Sequence, residues 1–150
     1  MKKHIKLFVI LAAILLLVSC GKKDEIINAE LSRALSENAS FDERLTQIDT
    51  DTAEKRYMLN SKDYNEITAY TGTASVCDEY VIIKTSNPEG VAEKLKKYIE
   101  SKKKIYESYR PNEVYKLDNA VIEQYKDAVV MIVTDDTLNA VEVYKEYLKK

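Results

Sequence analysis

Apolar positions recur along this chain with two different periods. Up to residue 54 the spacing is helical. Asp24 is placed to cap a helix running to about Asn38, with Ile27, Leu31, Ala34 and Leu35 on one face. Phe41, Leu45 and Ile48 continue at i, i+4, i+7. Asp51-Thr52-Ala53-Glu54 has the order of a capping box, with Asp51 at the cap and Glu54 three residues on. From Ile67 the period becomes two: Ile67, Ala69 and Thr71 alternate with Thr68, Tyr70 and Gly72. After a turn near residues 74–78, Tyr80-Val81-Ile82-Ile83-Lys84-Thr85 reads as a core strand. Asn87-Pro88 then opens a long helix to Tyr109, since asparagine caps and proline suits the first helical position. Val91, Leu95, Tyr98, Ile99, Ile105, Tyr106 and Tyr109 form its apolar stripe, and Arg110-Pro111 ends it. Residues 119–125 and 128–134 predict a second strand pair, joined at Lys126-Asp127 without the glycine that a two-residue turn favours. Asp135-Asp136-Thr137 caps a last helix with Leu138, Val141, Tyr144 and Leu148 inward.

A weak repeat links these elements. Val81 to Asn87 match Val130 to Asp136 at an offset of 49 residues, and Glu93, Lys96, Tyr98 and Ile99 match Glu142, Lys145, Tyr147 and Leu148. Two strand–cap–helix units predict an α+β fold: a two-layer, ββαββα-like sandwich. Both helices would lie on one face of a small antiparallel sheet, after an N-terminal helical segment.

The first residues follow another rule. Lys2, Lys3, His4 and Lys6 precede twelve apolar residues, Leu7 to Val18, and then Ser19-Cys20. Such a run is too short to span a bilayer, which takes about 20 residues. A basic start, an apolar run and a small-residue site form a signal peptide. Leu17-Val18-Ser19-Cys20 resembles the lipobox of bacterial lipoproteins. That resemblance implies cleavage before Cys20, a diacylglycerol on its sulfur, and attachment to the extracytoplasmic face of the cell membrane. The expected organisation is a signal peptide over residues 1–19, the lipidated Cys20 with a short tether over 20–23, and a single domain over 24–150.

Charge and composition narrow the chemistry. The chain has 23 Lys and Arg against 25 Asp and Glu, and three of those lysines precede Cys20. The mature domain is therefore acidic, which disfavours nucleic acid as a partner. The one histidine is His4, within the leader, and tryptophan is absent. This removes Ser-His-Asp and Cys-His mechanisms and His-ligated zinc. No phosphate loop or Cys-x-x-Cys pair occurs, and no cofactor or metal is expected. Asp49, Asp51 and Glu54 could be taken for calcium ligands, but the third ligand and glycine of an EF-hand loop are missing. With Cys20 lipidated, Cys77 is left without a partner and reads as a buried apolar residue. Lys94, Lys96, Lys97, Lys103 and Lys104 belong to the solvated face of the long helix. Lys102 falls inside the apolar stripe, where snorkelling at its edge is preferred to pairing with an acid. Most of the eleven tyrosines fall at core-facing positions. These features point to a non-catalytic binding or interaction module, not an enzyme, with a protein or cell-envelope partner. A cell-envelope hydrolase working with carboxylates is the alternative.

Asp78-Glu79 ahead of the Val81-Ile82-Ile83 strand, Tyr109-x-Pro111-x-Glu113, Leu117-x-Asn119-Ala120-Val121 and the strand ending in Thr134-Asp135-Asp136 resemble the family called domain of unknown function 4358. The resemblance covers roughly Asp24 to Leu148. It implies a short lipoprotein or secreted protein of a Gram-positive bacterium, and it carries over no site residues. This sequence departs from the family at Lys126-Asp127, where glycine is common.

Overall fold

The computed structural model describes residue 23 and residues 25–150. Asp24, the expected first cap, lies outside them, as do the leader and Cys20. Five α-helices accompany five strands among the described residues. In chain order these are α1 (Asn28–Asn38), β1 (Thr46–Ile48), α2 (Thr50–Tyr57), β2 (Glu66–Thr71), β3 (Glu79–Lys84), α3 (Pro88–Tyr109), α4 (Val114–Asp118), β4 (Val121–Tyr125), β5 (Ala128–Val133) and α5 (Thr137–Lys149). A 3₁₀ turn, Pro111–Glu113, leads into α4. All pairings are antiparallel, in the order β1-β2-β3-β5-β4. The fold class is α+β, as the two periods indicated.

The layering differs from the expected one. Val81, Ile83, Val129, Met131 and Val133 pack under Tyr57 of α2, Val91 and Leu95 of α3 and Leu117 of α4. Tyr80, Ile82, Val130 and Ile132 pack under Leu31 and Leu35 of α1 and Tyr144 and Tyr147 of α5. The two helices of the repeat therefore cover opposite faces, and the sandwich has three layers instead of two. The cause lies in the strands: β3 and β5 are buried almost throughout. The unbroken apolar runs Tyr80 to Ile83 and Ala128 to Val133 carry no alternation to choose a face. The offset of 49 aligns Val81 with Val130, which point to opposite sides.

Local shifts have equally specific causes. Helix α1 starts at Asn28 because residues 25–27 are drawn out across the end of the sheet. Ile26 is buried, Glu25 meets Lys84 Nζ at 2.9 Å, and Ile27 N–H donates to Tyr147 Oη at 2.8 Å. Ile27 is consequently 44% exposed, and Asn28 and Ser32 join Leu31 and Leu35 on the inner face. Residues 41–48 are not helical. Ile48 ends the edge strand β1, so Asp49, and not Asp51, caps α2 by accepting from Thr52 N–H at 2.9 Å. The bounds of α3 match the prediction, with Asn87 accepting from Gly90 N–H at 3.0 Å. In α5 the inner residues are Ala140, Tyr144 and Tyr147, whereas Leu138 is 85% exposed. The Asp136 cap and the Tyr147–Ile27 bond set that phase. Lys126 adopts φ 52° in the glycine-free β4–β5 turn, the left-handed backbone that was the concern there.

Lys23 belongs to the domain and not to a tether. Its N–H donates to Leu148 O at 3.1 Å, and its C=O accepts from Tyr125 Oη at 2.7 Å. Its ammonium lies 4.1 Å from the Tyr147 ring centre and bonds Glu30.

Candidate functional site

Strand β3 begins with a carboxylate on its inner face. Glu79 continues the row of Val81 and Ile83, and α2 and α3 cover it completely, so it is 0% exposed. An ionised side chain survives there only if it is paired and hydrogen-bonded. Lys102 Nζ stands 2.7 Å from Oε1 and Arg56 Nε 2.9 Å from Oε2. Tyr98 Oη donates at 2.8 Å to Oε1 and Tyr57 Oη at 3.2 Å to Oε2. Tyr98 and Lys102 are one turn apart on α3 and so reach the same point. Arg56 and Tyr57 end α2. Burial alone would push the Glu79 carboxyl up, but the Lys102 ammonium and the Arg56 guanidinium outweigh it and hold the group below the ordinary glutamate range. Burial beside that anion raises the Tyr98 and Tyr57 hydroxyls, which stay protonated donors.

Lys102 is therefore an acid-paired residue, not a snorkelling one. It is 7% exposed, its ammonium is held by Glu79, and its second acceptor is Cys77 O at 3.0 Å. Its charge also lies 5.4 Å from the Tyr106 ring centre.

A second cluster adjoins the first across residues 77–79. Lys116 of α4 is 1% exposed and meets Asp78 Oδ1 at 2.9 Å, Glu113 Oε2 at 3.0 Å, and Asp42. Asp78 also accepts from Asp42 N–H at 2.7 Å, and Glu113 from Cys77 N–H at 3.0 Å. Burial would lower the Lys116 ammonium, but bonds from Asp42, Asp78 and Glu113 raise it. Cys77 is free and buried, and burial pushes its thiol up to about 12. Cys77, Asp78 and Glu113 are the one group among the described residues whose ligand atoms gather as for a metal, within 4.8 Å of one another. Lys116 Nζ already occupies the space between the two carboxylates. The calcium pattern does not assemble: Asp49 is engaged by Thr52, and Glu54 accepts from Tyr64 Oη at 2.6 Å.

Outside the first cluster a cleft of about 550 Å³ opens between the end of α2, the β2–β3 loop and the last turns of α3. Arg56, Tyr98 and Lys102 line its base, Gly72, Thr73 and Ala74 one wall, and Tyr106 another. Met58, Ile105 and Tyr109 stand on the rim, 51%, 61% and 65% exposed. Ile105 and Tyr109, expected in the packed stripe, thus lie beyond the end of the core. Met58 reaches the rim because the chain turns left-handed there, at φ 56°, as α2 ends.

The family model described as domain of unknown function (DUF4358) matches residues 37–134. The chain belongs to this family. The matched span holds every residue of both clusters and of the cleft, and leaves out α5 and most of α1. The motifs that carried the resemblance converge at one end of the sheet: Asp78 and Glu113 meet on Lys116, Glu79 takes Lys102, and Thr134 Oγ1 donates to Ser40 O at 2.5 Å. No curated protein and no solved structure matches the chain.

Sequence reasoning had marked Lys102, Cys77 and Asp78-Glu79, but not Arg56, Tyr57, Lys116 or Asp42 as their partners. One signal was present. Glu79 stands in phase with Val81 and Ile83, and an acid at a core-facing strand position requires a buried cation. Lys102 in the apolar stripe supplies it.

Proposed function

We propose that the chain is a lipoprotein held by a diacylglycerol on Cys20 at the extracytoplasmic face of the cytoplasmic membrane. Its domain is read as a non-catalytic binding module that uses the Arg56–Lys102 cleft. The anchor rests on the order of basic start, apolar run and Leu17-Val18-Ser19-Cys20. No described helix is long and apolar enough to cross a membrane.

One observation carries the binding reading. Arg56 donates its Nε to Glu79 at 2.9 Å, lines the cleft with 32% of its side chain exposed, and has five N–H donors, more than its Glu79 and Tyr57 partners use. A guanidinium with unspent donors beside a cleft suits a carboxylate or phosphate. Arg56 and Lys102 together exceed Glu79 by one positive charge. The exposed Met58, Ile105 and Tyr109 offer area to an apolar body. The non-catalytic half of the reading draws on Glu79 itself. Its two oxygens already accept from Lys102, Arg56, Tyr98 and Tyr57, so the carboxylate has neither a proton to give nor a free lone pair.

A carboxylate hydrolase is the second reading, favoured by the convergence of Asp42, Asp78 and Glu113. Against it, a scissile bond would have to displace Lys116.

The test compares sodium octanoate with octanamide on the isotope-labelled protein. Octanoate should shift the amide signals of Thr73 and Ala74 saturably and octanamide much less, with the preference lost in Arg56→Lys. Equal response to both compounds overturns the binding reading. Mass spectrometry of the native chain tests the anchor: an unmodified Cys20, or cleavage elsewhere, overturns it.

A further inference from the structure

We infer that the end of the sheet carrying the β4–β5 turn is a membrane-contacting surface whose partner is the lipid bilayer, and that the Arg56–Lys102 cleft opens at the opposite end. The inference rests on the proposed acylation of Cys20. If Cys20 carries the lipid, only residues 21 and 22 separate it from Lys23. Three Cα–Cα steps span at most about 11 Å even when fully extended. Lys23 is not free to lengthen that link, because it is fastened to Leu148, Tyr125, Glu30 and the Tyr147 ring. The acyl chains sit below the headgroups, so Lys23 stays within one such length of them.

Lys23 marks one end of the sheet. Its carbonyl accepts from Tyr125, beside the β4–β5 turn, and that turn is joined to the end of β3 through Thr85 N–H to Asp127 O at 2.7 Å. Strand β3 then runs from Lys84 to Glu79, about 17 Å at the usual rise per residue. Helix α3 starts from the same end at Asn87 and carries its 22 residues about 33 Å to Tyr109, on the rim of the cleft. The cleft therefore faces the aqueous side, out of reach of the headgroups that hold the anchor. Two cations of this face are matched within the domain, Lys84 by Glu25 and Asp127 and Lys23 by Glu30. The covalent tether holds the face at the bilayer, so high salt should not release it.

The experiment uses the full chain, expressed in a lipidating bacterium, purified in detergent and returned to vesicles containing a nickel-chelating lipid. Nitroxide is attached at Asp127→Cys, at Lys149→Cys or at Tyr109→Cys. Cys77 is buried and does not compete for the reagent. Vesicle-bound nickel should broaden the spectra at 127 and 149 and leave 109 unchanged. Inserting 20 Gly/Ser residues after Gly21, with a root-mean-square span of about 25 Å, should erase the contrast. Protein that sits in the vesicles with equal broadening at all three positions, or the reverse order, overturns the orientation and leaves the anchor intact. Protein with an intact Cys20 that fails to enter membranes at all overturns the anchor reading, and the orientation with it.

Discussion

Glu79→Gln removes one charge with almost no change of shape, and the buried cluster predicts its cost. The amide keeps one acceptor oxygen but turns an N–H₂ group toward donors. Lys102, 7% exposed, is left with Cys77 O as its acceptor. Arg56 has 32% of its side chain exposed and can recover water on that side. Removing one partner of a buried ion pair costs about 3–5 kcal/mol. The partial rehydration of Arg56 places this variant in the lower half, about 3–4 kcal/mol. Set against a total stability of about 5–15 kcal/mol, that is a large share. The melting temperature should fall by about 10–15 °C for a domain of this size. Glu79→Leu with Lys102→Met, Tyr57→Phe and Tyr98→Phe discards the buried pair together with the hydroxyls that bond it, leaves Arg56 to water, and should recover part of the loss, because apolar packing avoids desolvation. Urea titration at pH 7, followed by far-ultraviolet circular dichroism, reads both variants. A loss below about 1 kcal/mol for Glu79→Gln would mean that the pair behaves like an exposed one. That result, or a combined variant no more stable than the single, refutes the account.

Three further outcomes follow from the same contacts. Glu79 and Glu113 are both held below the ordinary glutamate value, so their contribution is complete above about pH 4.3 and is lost as pH falls through the lower folded values; the urea midpoint should drop below that pH, and less so in Glu79→Gln. Cys77, with its thiol pushed up to about 12, should react with a thiol reagent slowly in the native domain and rapidly in urea; fast native labelling contradicts its burial. Lys126→Gly should relieve the left-handed residue of the β4–β5 turn and raise stability by about 0.5–1 kcal/mol in thermal unfolding, and a loss of stability there would show that contacts of the lysine outweigh the backbone strain.

The parts of this fold that were legible are those encoded locally. Asn87-Pro88 and Arg110-Pro111 bracket α3, because capping and proline chemistry act within a few residues. The strand pairs were legible because β-branched runs and period two are also local. Layering was not, since Val81 and Val130 are both apolar and both buried whichever face they take. The tuck of residues 25–27 across the sheet depends on Tyr147, 120 positions away, and no local pattern signals it. The clusters divide in the same way. Lys102 was visible as a charge in an apolar stripe, but its acid stands 23 residues earlier on a strand, and Lys116 meets Asp42 across 74. Those pairings are set by topology.

The layer formed by α1 and α5 has a consequence for when the chain is able to fold. Its two helices come from opposite ends of the described chain, and Ile27 donates its N–H to Tyr147. Until α5 has been synthesised, Tyr80, Ile82, Val130 and Ile132 have one bare face, and the central strands lack half of their cover. Closure between distant segments is entropically slow, and it is rewarded only when both are present. A nascent chain therefore remains open to its last turns of translation. A chain cut within α5 would leave α1 and one whole face of the sheet without cover.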